Sequence, residues 1–372
     1  MRILVNMVTS SPDTLSGISV YAWNQLRALV AHGEAEYTLL TNWSREAVGA
    51  YLPLDKIGFI PAWSPRSEKL AVFVNAWTAW RTARRIGAAI IFTPHPLGAL
   101  AGGRARVSVV HDLYRDTHAH LFRLDRRWTW KLLFPMCLAA THRVICVSSA
   151  TQSDLSRYYP RSSARTAVVH EAPTIAVPGE DTAPLEGRYG LIVANAAPTK
   201  NLTSLITALD ILKDDADVPP VVWVGRDDSG DMARARARHP GLSNFIEAGS
   251  KTEQELATLY RHAAFLVVPS LIEGFCLPVV EAHSYGVPVV CSDIPVLREV
   301  AGMGALYFDP DNPSSIADTL KAVCANADLH AELRTEASRN AERFSWSRAA
   351  EQIHALFSQT LREQGAGAPP QG

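Results

Sequence analysis

No Cys-x-x-Cys pair occurs among the 372 residues of this chain, and its five cysteines, at 137, 146, 276, 291 and 324, lie scattered in apolar surroundings. That spacing argues against a zinc ribbon or a disulfide framework and points to a reducing compartment, read here as the cytoplasm. Excess charge of either sign is also lacking: 36 Lys and Arg stand against 37 Asp and Glu, a formal charge of −1. Such a balance creates no overall field to draw nucleic acid or anionic lipid, so no nucleic-acid partner is expected. Long hydrophobic runs are missing. The longest helical one, Leu132 to Ala140, falls far short of a bilayer span. The N-terminus carries one basic residue and an apolar run broken by Asn6, which reads as a first strand and not a signal peptide. Neither that strand nor the one at 189–194 is followed by Gly-x-Gly-x-x-Gly, which weakens a dinucleotide oxidoreductase reading.

What is present is length and regular alternation. A chain of this size, 47% apolar, can bury two cores. From Tyr189 onward, short apolar runs at 190–194, 221–225, 245–248, 265–268, 287–291 and 305–308 alternate with helical segments near 202–213, 230–239, 252–262, 279–285, 295–301 and 313–326. Apolar strands separated by helices indicate a parallel sheet covered on both faces. The N-terminal half repeats the theme less tidily, with strands at 3–6, 37–41, 89–92, 107–110 and 144–147 and a helix near 18–32. Pro173, Pro178 and Pro184 mark 173–188 as a linker. The fold class is therefore α/β: one Rossmann-like domain at 1–172, a second at 189–345, a last helix at 346–362 and a disordered tail at 363–372.

The most informative string is Ser270-Leu-Ile-Glu273-Gly274-Phe275-Cys276-Leu277-Pro278-Val-Val-Glu281, closed by Gly286. It reads as strand, glycine turn and short helix. Backbone N–H groups at such a helix start can hold a phosphate or a polarised hydroxyl, and the carboxylates accept from neutral hydroxyls. Taken alone, Glu281 is an ordinary acid near a helix start. As a whole, Glu273-Gly-Phe-x-Leu-Pro with Glu281 eight residues on resembles the E-x7-E signature of the family 4 (group 1) retaining glycosyltransferases.

The resemblance covers nearly the whole chain. It implies the GT-B architecture, two facing Rossmann-like domains with a nucleotide-sugar donor on the C-terminal one, and a crossover final helix. It gives Glu273 to the donor sugar's hydroxyls, the amides of Phe275, Cys276 and Leu277 to sugar and phosphate, and Glu281 to the ribose. Lys200, in Ala197-Pro-Thr-Lys200-Asn201, matches the family's lysine and would neutralise the leaving diphosphate. Gly17, after the first strand, would let the backbone approach a phosphate or sugar. His111 closes the apolar strand Val109-Val110 and by resemblance lies against the transferred sugar; by itself it also reads as a satisfied histidine at a strand end. The sequence departs from many relatives in having Asn195 where they carry a second cation, with Arg226 as a candidate substitute.

No cofactor beyond the nucleotide diphosphate sugar and no catalytic metal is expected. Asp215-Ala-Asp217 and Asp309-Pro-Asp311 read as solvated loop acids, and a zinc site from His111, Asp112, His118 and His120 lacks finger-like partners. Trp77 and Trp80, at helical spacing, read as core. Arg123 to Lys131, with four cations and two tryptophans, could touch a membrane surface or form a solvated helix face. The expected activity is transfer of a hexose to a glycan or lipid-linked glycan. The alternatives are a non-catalytic GT-B subunit or a nucleotide-sugar epimerase.

Overall fold

The computed structural model describes all residues except 9–16, 66–67, 120–123, 176, 178–179, 181 and 367–372. The chain divides into two units, Met1–Glu171 with Ser345–Gly372, and Ala172–Phe344.

Unit 1 is built on a seven-stranded sheet of β1 Arg2–Met7, β2 Glu36–Thr41, β3 Gly58–Pro61, β4 Ile90–Thr93, β5 Ala105–Val110, β6 Arg143–Cys146 and β7 Thr166–Val168. All its pairings are parallel, in the order β3-β2-β1-β4-β5-β6-β7. β4 and β6 are buried along their whole length, as strands covered on both faces must be. β3 and β7 are additions to the sequence reading: one is a four-residue edge strand ending in Pro61, the other three half-buried residues. Neither is apolar enough to announce itself. Helix Trp346–Ala366 belongs to this unit, with Ala350, Ile353 and Phe357 buried and the Phe357 ring edge-on to Phe92 at 5.3 Å. It runs past the expected end at 362, so 363–366 are helical, and the remainder of the expected tail lies outside the described residues.

Unit 2 carries β8 Gly190–Val193, β9 Val221–Val224, β10 Phe245–Gly249, β11 Phe265–Val268, β12 Val289–Ser292 and β13 Ala305–Phe308. They too pair in parallel, in the order β10-β9-β8-β11-β12-β13. Counted within each unit, the sheet of unit 2 follows the doubly wound order 3-2-1-4-5-6, and that of unit 1 the same order with a seventh strand added beyond the sixth. Ligands in such sheets bind beyond the strand C-termini where the winding reverses, which is between β1 and β4 in unit 1 and between β8 and β11 in unit 2. Helix Ala327–Ala341 was not foreseen. Its sequence is mostly polar, yet it buries Leu333, Ala337 and Asn340 and is capped by the Asn326 side chain. Part of the expected linker packs on unit 2: Tyr285 OH donates to the Val177 carbonyl, and Glu180 N–H donates to Thr258 Oγ1.

Candidate active site

In unit 2, the chain leaves β8 through exposed Asn195 and turns through the 3₁₀ segment Pro198–Lys200. Asn201 then takes a left-handed conformation, φ 52°, at the head of helix Leu202–Ile211. From β11 the chain enters Ser270–Cys276. The two loops are tied by their backbones, Leu271 N–H donating to the Thr199 carbonyl at 2.9 Å. That tie brings Lys200 Nζ to 2.6 Å from Glu273 Oε1, and Ser270 Oγ donates to the same oxygen at 2.7 Å. Two residues 73 apart in sequence thus meet at the reversal between β8 and β11.

The turn after Glu273 is held by aromatic packing, the Phe275 ring meeting Phe344 edge-on at 5.6 Å. Gly274 is buried, and Cys276 stands at φ 78°, ψ 72° immediately before helix Leu277–Ser284. This is left-handed backbone, where a Cβ is crowded, so the turn carries strain at Cys276. The Cys276 thiol is buried and pushed well up, first by burial and then by the neighbouring Glu273.

Glu281 is the fifth residue of that helix, past its first turn rather than bracketing its start. Its carboxylate is buried and doubly bonded, Tyr260 OH donating to Oε2 at 2.9 Å and Thr174 Oγ1 to Oε1. Burial raises its pKa, and the two hydroxyls pull it back. Tyr260 in turn stacks on Tyr285 at 5.9 Å. Sequence reasoning gave no role to Thr174 or Tyr260. Neither belongs to a motif, and only folding brings residues 107 and 21 positions away to Glu281.

Asn195 Oδ1 accepts the Arg226 backbone N–H at 3.1 Å, so the two candidates for the diphosphate clamp are neighbours across β8 and β9. The Arg226 guanidinium lies 3.5 Å from Asp228 and is about half exposed. Gly225, just before it, has a firm requirement for glycine: a Cβ there would lie 2.0 Å from the Ala194 carbonyl oxygen.

In unit 1, His111 follows β5 and is buried. Its Nδ1 lies 3.3 Å from Glu171 Oε1, its Nε2 lies 3.2 Å from the Pro94 carbonyl, and Tyr21 meets the ring edge-on at 4.7 Å. Both polar neighbours are oxygen acceptors that hold the orientation of the ring. Glu171 is a third residue that sequence reasoning left without a role. Gly17 opens helix Gly17–His32, and a Cβ there would meet nothing within 4 Å. The glycine leaves open space and is not demanded by packing; Ser16 lies outside the described residues. Among the described residues, the set of three able to hold a metal is His32, Glu34 and His354; His111, Asp112 and His118 form no such set, and His120 is not described.

The description "Glycosyl transferases group 1" matches residues 179–344, and "Glycosyltransferase Family 4" matches residues 15–172. The chain is 29% identical over 209 residues to O-antigen chain mannosyltransferase B of Escherichia coli, covering 55% of this chain and 51% of that protein. It is 27% identical over 252 residues to the O-antigen chain mannosyltransferase RfbU of Salmonella typhimurium, covering 66% and 68%. Anabaena HepE, solved with UDP-glucose, superposes with a TM-score of 0.75 at 17% identity, covering 96% of this chain and all of that one. At that identity the likeness is one of fold, and the fold is GT-B. With one family description on each unit and this architecture beneath both, the chain belongs to the family 4 (group 1) glycosyltransferases.

Proposed function

We propose that this glycosyltransferase is a retaining, metal-independent hexosyltransferase of the cytoplasm. It moves a mannose-like hexose from a nucleotide diphosphate sugar to a hydroxyl of a glycan or lipid-linked glycan in bacterial surface polysaccharide synthesis. The observation that carries the reading is the Lys200–Glu273 pair beside helix Leu277–Ser284, at the sheet reversal where open α/β sheets take ligands. A lysine is a compact charge for an anionic leaving group, and a carboxylate accepts from sugar hydroxyls. The mannosyltransferase relatives support the hexose, and the UDP-glucose complex of Anabaena HepE supports a nucleotide-sugar donor.

Each residue then has a task. Lys200 balances the charge that grows on the diphosphate as the glycosidic bond breaks. Glu273 and the backbone of Gly274, Phe275, Cys276 and Leu277 hold the hexose and phosphate. Glu281 receives the ribose hydroxyls, Asn195 and Arg226 stand beside the diphosphate, Gly17 leaves room for a ligand, and His111 is assigned to the transferred sugar. Retention follows from attack on the face that the leaving group vacates, with the departing phosphate oxygen taking the acceptor's proton. No protein base is then needed.

The test is incubation of the purified chain with GDP-mannose, UDP-glucose and lipid-linked acceptors, with EDTA present, followed by NMR of the product's anomeric centre. An α-linked product from an α-linked donor is expected. Inversion, or a requirement for added metal, overturns the mechanism. No turnover and no donor hydrolysis would make the chain a non-catalytic subunit, and a changed sugar without acceptor would make it an epimerase.

A further inference from the structure

We propose that His32, Glu34 and His354 hold a divalent transition-metal ion of the zinc type, which staples the last helix of unit 1 to its first. This goes beyond the transferase reading and does not depend on it. His32 is the last residue of helix Gly17–His32, and His354 lies on helix Trp346–Ala366. The two helices pack against each other in unit 1, with the Tyr21 and Trp346 rings 5.8 Å apart. Between His32 and Glu34 stands Gly33 at φ 79°, left-handed backbone that glycine takes without strain. The turn ends the helix and brings Glu34 back to His32, with Oε1 3.6 Å from Nε2.

Glu34 offers one oxygen to each ring, since its Oε2 lies 3.0 Å from His354 Nδ1. The two ring centres are 5.4 Å apart, and one ligand atom from each of the three residues falls within 4.8 Å of the others. Ligands about 2.0–2.1 Å from a tetrahedral ion stand roughly 3.3 Å from one another. Small side-chain rotations therefore close the set, and Glu34, its side chain 61% exposed, is at liberty to make them. Two imidazoles and a carboxylate suit zinc and its neighbours among the transition metals, whereas magnesium and calcium take oxygen ligands. A water completes the fourth position.

Two features separate this set from an ordinary surface contact. Among the described residues no lysine or arginine pairs with Glu34, so its carboxylate is left to the two rings. His354 is buried, and its Nε2 has no hydrogen-bond partner among the described residues. Nothing there keeps the ring's proton away from Nε2; with the proton on that nitrogen, the Nδ1 lone pair faces Glu34 and His32 as a ligand must. The site also stands clear of the chemistry. It lies just ahead of Glu36, the first residue of β2, and so at the N-terminal edge of the parallel sheet, whereas His111 follows the C-terminal end of β5. Lys200, Glu273 and Glu281 belong to unit 2. The ion is thus a structural brace, and the transfer proceeds without it.

The experiment uses the full chain without a histidine tag, stripped of metal by EDTA and dialysed, then titrated with zinc chloride, cobalt chloride and magnesium chloride. Zinc should bind as a single equivalent by calorimetry and raise the unfolding midpoint by about 5 °C at a hundredfold excess over its dissociation constant. Cobalt should develop the visible absorption of a protein-ligated ion, and magnesium should change nothing. Glu34→Gln should keep its circular dichroism and weaken zinc binding by more than the roughly 10–100-fold that loss of a supporting partner costs. Glu34→His supplies a third imidazole and should restore binding. An unfolding midpoint that zinc leaves unmoved in the wild type, or raises equally in Glu34→Gln, overturns the proposal.

Discussion

Lys200 Nζ and Glu273 Oε1 are 2.6 Å apart, with the carboxylate 7% exposed and the ammonium 28%. A pair this well covered is held in place before any substrate arrives. The lysine that the proposed chemistry needs is thereby prevented from spreading over the rotamers of a surface side chain, and a diphosphate bound as proposed would meet an ammonium already aimed. Such preorganisation is what makes electrostatic stabilisation effective in a transition state.

Lys200→Ala should lower turnover at saturating donor by about a hundredfold or more, because charge on the leaving diphosphate rises toward the transition state. It should also cost about 1–3 kcal/mol of stability, since Glu273 keeps its burial and loses its counter-charge; the partial exposure of the lysine keeps this below the full cost of breaking a buried pair. Lys200→Arg should recover stability better than turnover. Steady-state kinetics and urea unfolding separate the two, and an effect limited to the Michaelis constant would contradict the assigned role.

Donor binding should depend on pH through Glu281. Burial lifts its carboxyl above the ordinary range, and a protonated acid is a poorer acceptor for ribose hydroxyls. Nucleoside diphosphate affinity should therefore fall on acidification before ordinary carboxylates titrate. Tyr260→Phe removes one hydroxyl that holds the charged form, so it should move that fall to higher pH and weaken binding near neutrality by about 1 kcal/mol. Calorimetric titration across pH reads both effects. Glu281→Gln should abolish this part of the pH dependence, and identical profiles for wild type and Tyr260→Phe would remove Glu281 from the donor site.

The folded state should lose stability in acid through His283. Its ring is fully buried, accepts from Asn340 Nδ2 at Nδ1 and donates from Nε2 to the Gly304 carbonyl, an arrangement suited to the neutral form. Burial, then Arg343, pushes its pKa from 6.5 down to about 4. The unfolded chain takes the proton first, so stability is intact above about pH 6.5 and drains away as pH falls toward about 4. The loss is of order 3 kcal/mol at most. His283→Gln should be less stable at neutral pH and less sensitive to acid; parallel pH profiles of the unfolding midpoint would contradict this.

At position 276 glycine should be more stable than alanine, the reverse of the order at most buried sites. Alanine retains the left-handed strain at φ 78° that cysteine already bears, whereas glycine releases about 1 kcal/mol of it. Unfolding midpoints of Cys276→Gly and Cys276→Ala settle the order, and a less stable glycine variant would show that packing dominates the turn.

Much of this was legible in the chain. The alternation after Tyr189 set out every strand of unit 2, because residues buried on both faces leave continuous apolar runs. The string from Ser270 to Glu281 announced a tight turn and a helix opened near Pro278, because glycine and proline act through the local backbone; the strand expected within it ends earlier, at Val268. β3, β7 and helix Ala327–Ala341 were not legible; they are short, at an edge or largely polar, and only packing makes them regular.

Sequence by itself determined most of the elements and the chemical types near the loop ends: Lys200, Glu273 and His111 each lie where a strand or turn delivers them, and Glu281 lies on the short helix that follows the turn. Tertiary structure decided their partners. It set Lys200 on Glu273, closed Thr174 and Tyr260 around Glu281, and placed Glu171 against His111. It also turned Trp77 to solvent. Helical spacing says which residues share a side of a helix, but whether that side is covered depends on a neighbour many residues away. Hydrogen-bond partners likewise follow from where two loops end in space, a relation that no local pattern of residues contains.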